Sequence, residues 1–257
     1  DEYPIQINLK KKSISAPRVF LSSEILKIEA LNLKNLIVEN LFISFDASLP
    51  KYSGFIRDLD LHDLHFKEIN IDIQKKPVTV IGIGDMSGDV FGNGMLLSKA
   101  LKLQAAFNHA HIFLDPNPSP KLSWKERNRL FNMPRSQWID YNTRYISKGG
   151  GIFDRNAKEI KLSPEIQRLI NTKEKVLNGD QLVKQILKMN IDLIWFGGIG
   201  TYIKSTNESP YQVGDPANDT IRIDHTECNA KVIGEGANLG ITQSARIELS
   251  RQGVHIN

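Results

Sequence analysis

The chain has 257 residues, 40% of them apolar and 24% charged, a balance that suits a soluble globular protein with a sizeable core. Its formal net charge is +4, but the lysines and arginines are scattered among acids without a basic stripe, which argues against nucleic-acid binding. A single cysteine, Cys228, makes no intrachain disulfide and points to a reducing, cytoplasmic setting. No apolar run approaches the ~20 residues of a membrane helix, so no membrane partner is expected. The opening Asp1-Glu2-Tyr3-Pro4 lacks the features of a signal peptide and lacks a methionine, which suggests a processed or trimmed product.

Residues 1–64 are rich in Leu, Ile, Lys and Asn and form the first of two expected regions, a small β-rich segment of unassigned role. Leu26, Leu31, Leu36 and Leu41 recur every five residues, with Ile28, Leu33, Val38 and Ile43 two places behind. Alternation within each unit favours short strands, in an ordinary small sheet or a solenoid-like stack. The second region, 65–257, alternates apolar strands, glycine turns and amphipathic stretches, the plan of an α/β domain with a mainly parallel sheet flanked by helices.

Val78 to Ile81 is a short β-branched strand running into Gly82-Ile83-Gly84-Asp85-Met86-Ser87-Gly88. A helix pattern follows through Met95 to about Lys99, then a second strand from Leu101 to Phe107. Ser123-Trp124-Lys125-Glu126 reads as a capping box opening a helix. Ser163-Pro164 opens another, with proline in the first turn. Asp180 reads as the cap of a third. Strands at Ile191–Phe196 and Lys231–Ile233 both stop at glycines, and Ala245–Ser250 reads as a last helix.

The glycine turn carries the chemistry. Gly82 is expected to turn the chain out of the strand, Gly84 to let a pyrophosphate approach the backbone, and Ser87 and Gly88 to let the next helix pack closely. Unpaired N–H groups at the helix start would then face the phosphates. The same fingerprint calls for an acid at the end of the second strand to bind ribose hydroxyls. Asn108 stands there, and Asp115 is a more distant substitute. Asn108 does not repel a 2′-phosphate as an aspartate would, so it does not decide between NAD and NADP.

Other residues read as structural. His109 and His111 would share a face if both lay on a strand, without metal spacing. Cys228, next to Glu227, reads as inert, and the serines lack a nucleophile-elbow setting. Asp215 and Asp219 flank a loop that could bind a cation but reads as solvated acids, and the three tryptophans read as core or contact residues.

Several runs, in order, resemble the large bacterial NAD-specific glutamate dehydrogenases, in their cofactor-binding domain. They are Val80 to Met95, His109 to Pro116, Arg129 to Ser136, Ile146 to Gly151, Trp195 to Tyr202 and Gly234 to Gly240, within residues 65–257. The resemblance implies oxidation of glutamate by NAD to 2-oxoglutarate and ammonia. It implies Gly82, Gly84, Asp85, Met86 and Ser87 at the pyrophosphate, Asn108 at the adenosine ribose, Gly197 and Gly198 along the cofactor, and Asn238 near the nicotinamide ribose. The family's catalytic lysine and aspartate belong to an upstream substrate domain not recognised in residues 1–64, and Lys148-Gly149-Gly150 reads as a loop. The chain also stops soon after Asn238, where the family continues. A fragment inactive by itself is therefore expected, meeting glutamate only with a substrate domain, as a homo-oligomer or with a partner chain. The alternatives are a non-catalytic remnant or binding module, and a Rossmann domain for another nucleotide ligand such as S-adenosylmethionine.

Overall fold

A computed structural model of the chain describes residues 6–8, 13–21, 36–45, 50–52, 71–84, 95–198, 200–236 and 239–256, the first four ranges by backbone only. The chain divides into two compact units, Asp1–Asp60 and Leu61–Asn257. In the first, β1 (Gln6–Asn8), β2 (Ser13–Leu21), β3 (Leu36–Phe45) and β4 (Pro50–Tyr52) form an antiparallel sheet in that order. The five-residue repeat does not set strand length: Leu36, Val38, Leu41 and Ile43 share the single strand β3. Leu26, Ile28, Leu31 and Leu33 lie outside the described residues.

The second unit is built on one sheet. Its strands are β5 (Val78–Ile83), β6 (Leu101–Phe107), β7 (His111–Leu114), β8 (Gly151–Asp154), β11 (Ile191–Phe196), β14 (Ala230–Glu235) and β15 (His255–Ile256). Their order is β15-β14-β11-β5-β6-β7-β8. The five from β15 to β6 are parallel, and β7 pairs antiparallel with both neighbours. Two ribbons flank the sheet: β9 (Ile160–Lys161) with β10 (Val176–Leu177), and β12 (Ile203–Lys204) with β13 (Ile223–Asp224).

The central strands read as continuous apolar runs because they are covered on both faces. Ile81, Ile83, Ile194, Phe196 and Ile233 join one buried cluster, and Val78, Val80, Leu193, Trp195 and Val232 join the other. On β6 the alternation slips. Leu101 and Leu103 face the second cluster and Ala105 and Phe107 the first, because the register shifts opposite Val80/Ile81 and leaves Gln104 as an extra residue. Such a bulge flips the side-chain parity of everything beyond it.

The helices are α1 (Pro120–Phe131), α2 (Pro164–Leu169), α3 (Gly179–Leu187), α4 (Pro210–Val213) and α5 (Gln243–Arg251). Ser163 caps α2 as expected, accepting from the Ile166 N–H. Two starts differ from the sequence reading. Helix α1 begins at Ser119-Pro120, so Ser123 lies buried inside it. Helix α3 is capped by Asn178 in a reciprocal box with Gln181, which frees the Asp180 carboxylate for other partners. The expected helix does not extend through 95–99: these residues form turns, closed by the Ser98 hydroxyl, which donates to the Ile73 carbonyl and accepts from the Ala100 N–H. No helix among the described residues is long and apolar enough to cross a membrane.

Candidate functional site

Parallel pairing brings the carboxyl ends of β6, β5, β11 and β14 to one edge. The ladders run one step past the strands: the N–H groups of Gly84, Gly197 and Gly236 donate to the carbonyls of Phe107 (2.9 Å), Ile83 (2.7 Å) and Phe196 (2.8 Å). The chain leaves β5 toward β6, β7 and β8, then returns to the other side of β5 to build β11, β14 and β15. Between β5 and β11 the two directions part, which in open α/β sheets opens a crevice for ligands.

Gly84 stands at that point with φ +140°. A Cβ on it would lie 3.1 Å from the Gly197 carbonyl carbon and 3.3 Å from the Gly198 nitrogen. The two strand ends thus meet as bare backbone. Above them opens a cleft of about 700 Å³, within the ~300–1,000 Å³ usual for cofactor sites. Gly84, Asn108, Gly197 and Gly198 all line it. Gly82 does not make the expected turn: it lies inside β5, opposite Ala106 and Trp195, and the chain stays extended through Ile83. Asp85, Met86, Ser87 and Asn238 lie outside the described residues.

Asn108 closes the β6–β7 connection as an Asx turn, its Oδ1 accepting from the N–H groups of Ala110 (2.9 Å) and His111 (2.8 Å). The turn uses Oδ1 and not the NH₂ of this cleft-lining residue. Asp115 is no substitute. Because β7 runs antiparallel, its end delivers Asp115 to the opposite edge of the sheet, fully buried and bonded to Ser147 and Asn117. Burial, outweighing those bonds, raises its pKa. His109 lies in the β6–β7 turn and not on a strand with His111; it lines the cleft alone of the two.

Among the described residues, the carboxylate lining the cleft is Asp180 at the start of α3. It accepts from Arg155 Nη1 at 2.5 Å and the Thr220 hydroxyl at 2.7 Å. Against the upward push of burial, these partners hold its pKa below the usual range. Tyr202 forms one wall, edge-on to Phe107 at 5.7 Å and stacked on Phe196 at 5.8 Å. Burial, with Asp215 nearby, raises the phenol pKa, so it is neutral at physiological pH. Arg155, Asp180 and Tyr202 were not singled out as cleft residues from sequence. Tyr202 sits in the Trp195–Tyr202 run, but Arg155 belongs to no motif.

The remaining candidates are structural here. Asp215 and Asp219 pair with buried Arg222. Glu235 pairs with Arg246 and accepts from the Ile241 N–H, tying its glycine run to α5. Cys228 is buried, and burial raises its thiol pKa. Among the described residues no group of three His, Cys, Asp or Glu could hold a metal ion.

The sequence of the second unit matches known proteins. Residues 61–257 match the family model described as bacterial NAD-glutamate dehydrogenase, catalytic domain. The NAD-specific glutamate dehydrogenase of Halomonas elongata is 51% identical over 193 residues, covering 75% of this chain and 12% of that protein. That of Pseudomonas aeruginosa is 54% identical over 189 residues, covering 74% and 12%. Among solved structures, Plasmodium falciparum glutamate dehydrogenase aligns with 75% of this chain and 32% of its own at 14% identity and a TM-score of 0.42. The chain thus spans about 12% of the length of the curated relatives it matches. With its second unit matched from end to end, this chain belongs to the bacterial NAD-glutamate dehydrogenase family, within the catalytic domain.

Proposed function

We propose that residues 61–257 are the NAD-binding part of a glutamate dehydrogenase catalytic domain. The observation that carries this reading is the side-chain-free meeting of Gly84 with Gly197 and Gly198 beneath a cleft at the sheet's switch point. A pyrophosphate needs that backbone approach, and a Cβ at Gly84 would fill it. NAD, when bound, supplies the hydride acceptor for oxidation of glutamate to 2-oxoglutarate and ammonia. The chain's own residues bind and orient it. Gly84, with Asp85, Met86 and Ser87 by resemblance, receives the pyrophosphate. The Asn108 NH₂ faces the adenosine ribose, Gly197 and Gly198 line the cofactor, and Asn238 serves the nicotinamide ribose.

No lysine is among the described residues lining the cleft, and its carboxylate, Asp180, is engaged by Arg155 and Thr220. On this reading the proton-handling lysine and aspartate come from a substrate domain, and this chain alone turns over glutamate very slowly or not at all.

The test is an NADH titration of the whole chain followed by tryptophan fluorescence, with NAD, NADPH and S-adenosylmethionine as competitors. Saturable binding, displaced by NAD and not by S-adenosylmethionine, is expected. A folded chain that never saturates would leave the glycine turn as scaffold and sink the reading. Asn108→Asp is expected to keep the turn's two acceptor bonds while setting a negative charge near the ribose. It should shift the NADH-over-NADPH preference about tenfold toward NADH, the equivalent of ~1.4 kcal/mol. An unchanged ratio would remove Asn108 from the ribose site.

A further inference from the structure

We propose that Trp138, supported by Arg127 and Trp124, is a positioning residue for the phosphate turn: it holds the Gly84 carbonyl from an element far along the chain, and the other two hold the carbonyls of Met95 and Leu96. This rests on the NAD-binding reading above.

A glycine at φ +140° has no side chain to steady its peptide plane. The Gly84 carbonyl is held instead by the Trp138 indole N–H at 3.1 Å, across 54 residues of sequence. Trp138 is fully buried in the connection between α1 and β8, with its ring 5.0 Å from Phe113. Packed on every side, the indole is a fixed donor. Because a peptide is planar, a fixed carbonyl also fixes the orientation of the amide that follows it.

Two further carbonyls are held in the same way. The carbonyls of Met95 and Leu96 accept from Arg127 Nη1 (3.2 Å) and Trp124 Nε1 (2.8 Å). These two side chains stand three residues apart on α1, so one helix face presents both donors. Residues 85–94 between the anchors lie outside the described ones.

Arg127 is the costly part of this device. It is fully buried, it also donates to the Ser123 hydroxyl, and its Nη2 has no partner among the described residues. No carboxylate among the described residues pairs with it in an ion pair. Burial pushes its pKa down to about 10, which leaves it cationic at neutral pH. Taking a guanidinium out of water costs desolvation, and a leucine or methionine would pack the same space. A guanidinium there is accounted for by what it does at Met95: it donates to a carbonyl that a leucine or methionine would leave without that donor.

The experiment compares the full chain with Trp138→Phe, which keeps an aromatic ring and removes the donor. NADH and ADP carry a pyrophosphate; adenosine does not. Trp138→Phe is expected to weaken NADH and ADP about tenfold and to leave adenosine binding unchanged. A general loosening of the fold would weaken all three alike, and that outcome, or ADP binding equal to the parent chain, overturns the proposal. Should Trp138→Phe not fold, Trp124→Phe serves at the half-buried end, where a smaller loss of about threefold, again confined to ADP and NADH, is expected; equal loss for adenosine, or none for ADP, overturns it. A parent chain that binds no NADH strikes the NAD-binding reading itself, whereas a parent that binds and a variant that binds equally strike only the positioning role.

Discussion

Replacing Gly84 by valine is expected to abolish measurable NADH binding and to destabilise the second unit by about 2–4 kcal/mol. Two costs add. The backbone at φ +140° lies where side-chain-bearing residues are strained by ~1–3 kcal/mol. The new Cβ would also meet backbone atoms of Gly197 and Gly198 at 3.1–3.3 Å, and a strand end cannot swing aside as a flexible side chain can. Binding suffers more than stability because the valine would stand where the pyrophosphate is to approach. An NADH titration beside a thermal melt separates the two effects. A folded Gly84→Val chain that binds NADH like the parent would take the pyrophosphate away from this turn.

Arg222→Met is expected to lower stability by about 3–5 kcal/mol, or roughly 10 °C in melting temperature, and to weaken NADH binding more than tenfold. The Arg222 side chain is 1% exposed and pairs with Asp219. Its Nε donates to the Thr201 carbonyl at 2.9 Å and its Nη2 to the Asp215 carbonyl at 2.6 Å. Asp215 in turn accepts from the Thr201 N–H and the Asn218 amide, both at 2.8 Å. One guanidinium thus joins the approach to Tyr202 with the loop that supplies Asn218, Thr220 and Ile221 to the cleft. Methionine fills the space but leaves buried acceptors without donors, the expensive way to break such a pair. Asp219→Asn is the control. Asp219 is 36% exposed, so its loss should cost less than ~1 kcal/mol and leave binding near the parent value. If the two variants melt together, the loop is held by something other than Arg222.

Much of the second unit was legible because its signals are local. A run of β-branched residues ending at a glycine is readable over a few positions, and the strands expected at Val78, Leu101 and Ile191 begin there, while the one expected from Lys231 begins one residue earlier, at Ala230. Helix starts were less legible, since Ser123 and Asp180 satisfy a local capping pattern as well as the residues that actually cap. At α1 the choice fell to Ser119-Pro120, because proline is free of cost in a first turn. At α3 it fell to Asn178, leaving Asp180 to pair with Arg155.

By itself, then, the sequence determined the central parallel strands, the bare glycines that end β5 and β11, and the family of residues 61–257. These depend on side-chain shape over short spans of chain. Only the tertiary structure decided which of them share a site. The reversal of β7 sent Asp115 to the far edge, and the return of the chain past β5 set Gly197 against Gly84. Packing joined Arg155 to Asp180 and Trp138 to the Gly84 carbonyl. Each is a contact between distant segments, set by strand direction and by the burial of whole faces, which no local pattern of residues encodes.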